Sequence, residues 1–174
     1  NNNILIFPPH EVLPYEELSH DFQIMKQRIE VLSRLAHINC HKYNYNEETS
    51  LSPLIIISTY QAILPKIMSC KHFYERHLEL EREGQLKVEH FLNYLIEQGY
   101  RSSDLIETQG QFSQRGGIID VFPPTEENPL RIELDGDRIA SLRFFDQESQ
   151  RSIRRVEQVL LLPRIEINSK LEAE

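Results

Sequence analysis

Residues 130–145 read LRIELDGDRIASLRFF, and this stretch decides the fold of the second half of the chain. From Leu130 to Leu134, apolar residues alternate with charged ones, which is typical of a strand with one buried face. Asp135-Gly136 follows, and glycine accepts the positive φ that a tight hairpin turn needs. The stretch therefore predicts two antiparallel strands, 130–134 and 138–145, joined by a tight turn.

The sequence around this hairpin predicts a small α+β domain built on an antiparallel sheet. An amphipathic helix is expected from Gln85 to Gln98, with Gly99 in the position that follows a helix end. Its apolar stripe consists of Val88, Phe91, Leu92, Leu95 and Ile96. The other short strands are expected at residues 77–81, 105–108, 117–122 and 159–163, the last of which leads back out of the domain.

The first half of the chain alternates strands with helices, which is α/β organisation. Ile4 to Phe7 is a short apolar run that predicts a buried strand. Leu54 to Ile57 predicts a strand buried on both faces, as in a parallel sheet with helical cover. Between them we expect a helix that is capped by Ser19 or Asp21 and ends near residue 38, and a short helix is expected at residues 60–64. The long helix should bury Phe22, Met25, Ile29, Leu32 and Ala36, and residues 10–18 and 39–53 should be loops.

Composition excludes several broad classes of protein. The 174 residues carry a net charge of −8, which argues against a general nucleic-acid coat because phosphate binding needs surplus cations. Cys40 and Cys70 are too few for a disulfide scaffold, and two free thiols in a reducing compartment are expected. No apolar run is long enough for a membrane span, and the N-terminus does not resemble a signal peptide. Because the chain begins at Asn1 without methionine, we expect a fragment of a longer chain.

The motifs of common enzymes are missing from the sequence. None of the six glycines belongs to a P-loop, a nucleophile elbow or a dinucleotide-binding fingerprint. His37, Cys40 and His41 lie close in sequence, but we interpret them as loop residues, since a metal site needs three or four convergent ligands. The acidic run from Glu79 to Glu83 alternates with apolar residues and indicates a solvated strand face. The motifs therefore favour a binding or structural module without catalysis, metal or cofactor.

The most unusual stretch runs from Gly110 to Pro123. Two adjacent glycines, Gly116 and Gly117, interrupt a β-rich run and predict a bulge or a close backbone approach. One sheet face should gather charged side chains on the rim of this region, with an apolar anchor at Phe112 or a neighbour such as Ile118, as in protein interfaces. The candidate partner-binding residues are Arg101, Phe112, Arg115, Arg131 and Glu133. A solvated face whose ion pairs satisfy one another is the alternative interpretation.

Several ordered motifs resemble one known family. They are Tyr100-Arg101, residues 110–123, residues 131–137, residues 145–152, residues 7–16 and residues 58–62. Together they are similar to the UvrB-homologous N-terminal module of bacterial transcription-repair coupling factors (Mfd), over nearly the whole chain. UvrB itself shares the Arg-Gly-x-x-Ile-Asp-x-Phe-Pro run at residues 115–123 and the hairpin at residues 131–137.

The resemblance implies a domain organisation and a function. Residues 1–70 would belong to a degenerate helicase-like α/β domain, 71–160 would be an inserted α+β domain that binds the damage-recognition protein UvrA, and 161–174 would be a return segment or linker. The module would recruit UvrA in the bacterial cytoplasm to RNA polymerase stalled at damage. Other domains of the full-length factor would contact RNA polymerase and DNA and would hold the ATP-dependent motor. The factor's own C-terminal region is a second partner that the resemblance implies.

The family's partner-binding positions carry over to Arg101, Arg115, Arg131 and Glu133, whereas Ser113 stands where UvrB has an arginine. Two other functions stay open at this point. In the first alternative, the chain would be a fragment of a UvrB-type excision-repair subunit that handles DNA, which predicts a steep salt dependence of DNA binding. Alternatively it is a structural α/β domain, for which charge reversals at the four positions would leave partner binding unchanged.

Overall fold

The computed structural model describes residues 3–9, 19–41 and 53–166, although the side chains of 19–22 and 39–41 lie outside that description. The expected loop at 10–18, most of the loop at 39–53 and the caps at Ser19 and Asp21 therefore fall outside the described part. The chain divides into two compact units, residues 1–76 with 165–174 and residues 77–164. Residue 70, after which the sequence predicts a boundary, is the first residue of a helix, Cys70–Glu75, and this helix lies in the first unit. None of the helices in the described ranges is long and apolar enough to cross a membrane.

In its described residues, the first unit contains a parallel pair of strands and three helices. Strands β1 (Ile4–Phe7) and β2 (Ile55–Ser58) pair in parallel from Ile4 opposite Ile55 to Phe7 opposite Ser58. The helices are α1 (Ser19–His41), α2 (Tyr60–Ile63) and α3 (Cys70–Glu75). The core of this unit comprises Leu5, Phe7, Ile29, Val31, Leu32, Ala36, Ala62, Met68 and Phe73. The parallel pairing confirms the α/β organisation of the first half.

Two expectations for this unit are wrong. The strand at Ile55–Ser58 is not buried on both faces, because Ile55 and Ile57 are 54% and 56% exposed. Within the described residues, α1 packs against β1 of the strand pair, whereas the face that carries Ile55 and Ile57 is exposed. An unbroken apolar run usually has a packed layer on both faces. Helix α1 also continues to His41, which places His37, Cys40 and His41 in a helix rather than a loop.

The second unit is a six-stranded sheet with a helix on one face. The sheet has the order β4-β5-β6-β7-β8-β9, and all neighbours are antiparallel except β4 and β5. A separate antiparallel pair is formed by β3 and β10. The bounds are β3 (Leu78–Glu81), α4 (Val88–Glu97), β4 (Arg101–Ser102), β5 (Gln111–Arg115), β6 (Ile118–Val121), β7 (Leu130–Asp135), β8 (Arg138–Phe145), β9 (Ser152–Val156) and β10 (Gln158–Leu161). This arrangement confirms the α+β half and its tight hairpin, in which Asp135 pairs with Arg138 and the two loop residues are Gly136 and Asp137.

Helix α4 covers the inner face of the sheet. Its Phe91 and Leu95 are buried against apolar side chains that alternate along the strands. Ile96 is 59% exposed, so its place in the expected apolar stripe is wrong. The helix begins at Val88 rather than Gln85, because Gln85 forms an antiparallel bridge with Arg138, and the backbone N–H of Leu86 donates to the Asp137 carbonyl. The apolar residues of the sheet in this core are Phe112, Ile119, Val121, Leu130, Ile132, Ile139, Leu142 and Phe144.

The segment 105–108 forms a loop, and the strand expected there is wrong. The Gln111 side-chain carbonyl accepts hydrogen bonds from the backbone N–H groups of Glu107 (2.8 Å) and Thr108 (3.0 Å). The hydroxyl of Ser103 donates to the Leu105 carbonyl at 2.6 Å. These side chains take the backbone groups that a strand partner would need. The sheet is therefore extended at this edge by Arg101–Ser102 instead.

Candidate partner-binding face

The inner face of the six-stranded sheet is buried, and the candidate site lies on the opposite, outer face. Side chains that are directly opposite each other in register share a face, as do residues two apart along a strand. Arg101 pairs with Gln111, and Ser113 pairs with Asp120. Extending this register across the sheet gives the outer face, which comprises Arg101, Gln111, Ser113, Arg115, Ile118, Asp120, Arg131, Glu133, Ser141, Arg143 and Arg155.

The structure therefore places four of the five predicted site residues on one face. They are Arg101, Arg115, Arg131 and Glu133. The fifth, Phe112, is 3% exposed and belongs to the inner core, so the prediction of Phe112 as an apolar anchor is wrong. Alternation along β5 explains this, because Phe112 lies between Gln111 and Ser113 of the outer face. Ile118, the neighbour named with it, is 38% exposed on the outer face.

The two adjacent glycines form the turn between β5 and β6. Arg115 and Ile118 are opposite each other, so Gly116 and Gly117 are the two loop residues, and Gly116 has a φ of +58°. A Cβ on Gly117 would lie 3.0 Å from the carbonyl oxygen of Leu134. The close backbone approach is thus observed, whereas the bulge in this region lies between Glu133 and Leu134. This turn places Arg115 at the rim of the sheet.

The predicted arginines differ in how strongly the protein itself holds them. Arg101 is exposed and forms no hydrogen bond or ion pair through its side chain with the described residues. Arg115 is exposed, and within the described residues its guanidinium donates only to the backbone carbonyl of Asp104. Both therefore present charge to solvent. A guanidinium in this state can form a two-point contact with a partner's carboxylate.

Arg131 and Glu133 are engaged within the sheet. Both oxygens of Asp120 accept hydrogen bonds from Arg131 at 2.7 Å, and the side chains of the pair are 17% and 12% exposed. Arg131 also lies 4.3 Å above the Phe145 ring and donates to Gln150 at 2.9 Å. Hydrogen bonding to Asp120 raises the pKa of the Arg131 guanidinium above its ordinary value. These contacts indicate that Arg131 stabilises the outer face.

Glu133 accepts hydrogen bonds from Ser141 and Arg143. The two side chains of the Glu133–Arg143 ion pair are 32% and 24% exposed. Arg131 and Glu133 therefore form ion pairs within the sheet, as the alternative interpretation expects. That interpretation does not describe Arg101 and Arg115. Ser113, the position at which an arginine is missing, is 4% exposed. Sequence reasoning missed Arg143 and Arg155, which the antiparallel register of β7, β8 and β9 brings onto the same face.

The outer face has the opposite charge to the chain as a whole. It carries Arg101, Arg115, Arg131, Arg143 and Arg155 against Asp120 and Glu133, in a chain whose net charge is −8. Within the described residues, no group of three or more His, Cys, Asp or Glu side chains is arranged to hold a metal ion. The chemistry available here is recognition of an acidic surface by guanidinium groups beside an exposed isoleucine.

Comparison with known proteins assigns this unit to a family. Residues 78–166 match the model of the UvrB interaction domain. The chain is 28% identical over 169 residues to a transcription-repair-coupling factor of Bacillus subtilis and 30% identical over 164 residues to that of Myxococcus xanthus, covering 96% and 94% of the chain. It is 34% identical over 154 residues, 88% of the chain, to the same factor of Staphylococcus aureus. The chain spans only 12–13% of the length of these relatives. By the match over half of its length, the chain belongs to the UvrB interaction domain family.

Proposed function

We propose that the chain is a protein-docking module that binds UvrA and recruits it to RNA polymerase stalled at DNA damage. The observation that carries this proposal is the exposure of Arg101 and Arg115 on one sheet face, beside Ile118, in an otherwise acidic chain. Membership of an interaction-domain family and similarity to transcription-repair-coupling factors support it. Docking requires neither catalysis nor a cofactor from these residues.

Finer parts of the proposal concern the longer protein. We propose that the first unit is part of a degenerate helicase-like α/β domain, which is supported by its parallel strands and the helix α1 between them. The motor that contacts DNA and RNA polymerase would lie in other domains, and the protein would act in the bacterial cytoplasm. In the resting full-length protein, its own C-terminal region would compete with UvrA for the outer face.

The test is a binding titration of UvrA with Arg115→Glu. Reversing one charge where it meets a partner's carboxylate costs about 2–5 kcal/mol, which weakens binding by a factor of about 30 or more. The matched control is Arg154→Glu, which makes the same change in net charge on the inner side of β9, where Arg154 lies 4.8 Å from the Phe144 ring. Circular dichroism checks that both variants are folded.

Three outcomes separate the functions under consideration. Loss of UvrA binding in Arg115→Glu, with binding retained in Arg154→Glu, supports the docking function. Equal binding by both variants and the original chain removes Arg115 from the interface and favours a structural role. Tight DNA binding with a steep salt dependence, together with no binding of UvrA, would contradict the proposal and favour the DNA-handling alternative.

A further inference from the structure

Three arginines lie side by side across the outer face. Arg131 of β7 is opposite Arg143 of β8, and Arg143 is opposite Arg155 of β9. Residues that are directly opposite have Cβ atoms about 5 Å apart, and like charges in that position destabilise a sheet. Such an arginine ladder, comprising these three residues, therefore needs compensating negative charge from somewhere.

The sheet supplies that compensation for two members of the arginine ladder. Arg131 is bound by Asp120 and Arg143 by Glu133. Arg155 is exposed, and its side chain has no hydrogen bond or ion pair with any residue in the described ranges. The charge that is left uncompensated thus lies at the outermost strand, where a partner can reach it.

Protection of a sheet edge does not explain the position of Arg155. Strand β9 is an edge strand, and charged side chains on such strands discourage pairing with other chains. Arg154 already supplies a charge there, and it is held over the Phe144 ring on the inner side. Arg155 instead lies opposite Arg143, a position in which a second cation is unfavourable unless something else binds it.

We infer that Arg155 contacts UvrA through a carboxylate of that partner, so that the binding face extends from β5 across the sheet to β9. This inference rests on the proposed function. Ile153 lies two residues earlier on the same strand, at the register shift between Arg154 and Ser152, and is 54% exposed. An exposed isoleucine therefore lies close along the chain to the solvent-facing Arg155, as Ile118 lies close to Arg115.

The occupant is a protein surface rather than a nucleic acid. The chain as a whole carries a net charge of −8, which opposes binding to a phosphate backbone, and Asp120 and Glu133 lie on the same face beside the arginine ladder. A folded partner can instead place its carboxylates at Arg155 and Arg115 and keep other groups near Asp120 and Glu133. Complementary charge of this kind mainly raises the association rate and the discrimination between partners.

The test compares two neighbouring arginines of β9. Arg155→Glu should weaken UvrA binding about tenfold, chiefly through a slower association rate and a smaller dependence on salt. Arg154→Glu makes the same change in net charge, lies on the inner side of the strand and should leave the affinity within about twofold of the original. A second variant, Arg155→Gln, removes the charge without introducing a new one. It should weaken UvrA binding while leaving the thermal unfolding temperature unchanged or higher, because it relieves repulsion of Arg143.

The outcomes distinguish this inference from the proposed function. If Arg115→Glu abolishes binding and Arg155→Glu binds like the original chain, the docking function stands and the extension to β9 is wrong. If Arg154→Glu weakens binding as much as Arg155→Glu, net charge is responsible and the inference is overturned. If the original chain does not bind UvrA at all, the proposed function and the inference both fail. If Arg155→Gln unfolds at a lower temperature, Arg155 has a structural role and the inference is again overturned.

Discussion

Replacing Arg131 by alanine should destabilise the protein, because the contacts of this residue stabilise the outer face. The variant leaves the carboxylate of Asp120, whose side chain is 12% exposed, without its two 2.7 Å hydrogen bonds. Removing one partner of a buried ion pair typically costs about 3–5 kcal/mol. Because the pair is only partly buried, water can replace some of the lost contacts. The lost contact with the Phe145 ring adds about 0.5–1 kcal/mol, and we expect a total of about 2–4 kcal/mol.

The assay is chemical denaturation followed by far-ultraviolet circular dichroism, since the chain has no tryptophan for fluorescence. The companion variants are Asp120→Asn and the double variant, and a double-mutant cycle should give a coupling energy of about 1–3 kcal/mol between Asp120 and Arg131. Arg101→Ala is the matched control, and it should change the free energy of unfolding by less than about 0.5 kcal/mol.

A free energy of unfolding for Arg131→Ala within about 0.5 kcal/mol of the original would refute this reasoning. It would show that the ion pair behaves like a solvent-exposed pair. The result also decides how binding data are interpreted. If Arg131 stabilises the outer face, loss of UvrA binding in its variants reflects a distorted face as well as a lost contact. Loss of UvrA binding in variants of Arg101 or Arg115 instead reports the lost contact alone.

Three further predictions follow from single contacts. Burial raises the pKa of the Tyr100 phenol, whose hydroxyl donates to the Leu162 carbonyl at 2.8 Å. The unfolded chain therefore loses this proton first, so stability should fall as the pH rises above about 10, and Tyr100→Phe should show a shallower alkaline loss in pH-dependent denaturation. Gly99 has a φ of +86° and its N–H bonds to the Ile96 carbonyl at the end of α4, so Gly99→Ala should lower the free energy of unfolding by about 1–2 kcal/mol in denaturant titration. Ile118→Asp should weaken UvrA binding in a titration at least about tenfold while the unfolding midpoint stays the same, and an unchanged affinity would remove Ile118 from the interface.

Local sequence patterns predicted the elements whose backbone hydrogen bonds are made to residues nearby in sequence. The hairpin at residues 130–145 was predictable because alternation and the turn glycine agree, and the end of α4 was predictable because Gly99 satisfies its last carbonyls locally. The strand expected at residues 105–108 was wrong because its N–H groups are bound by the Gln111 side chain, which composition does not reveal. The two-sided burial of residues 54–57 was wrong because an apolar run does not show which layers are present.

The candidate face was partly predictable for a similar reason. Alternation along β7 placed Arg131 and Glu133 together, and this needs only one strand. The pairing of Arg131 with Asp120 and the arginine ladder through Arg143 to Arg155 depend on the register between strands, which alternation along a single strand does not show. The burial of Phe112 follows from alternation along β5, where neighbouring residues occupy opposite faces.

The most direct test of the binding face is hydroxyl-radical footprinting of the chain with and without UvrA. Ile118 of the outer face and Ile96 of α4 are 38% and 59% exposed, so both can be modified in the unbound chain. We predict that UvrA protects Ile118 and leaves the modification of Ile96 unchanged. Protection of Ile96 with unchanged modification of Ile118 would place the partner on the helical side and contradict the assignment of the outer face.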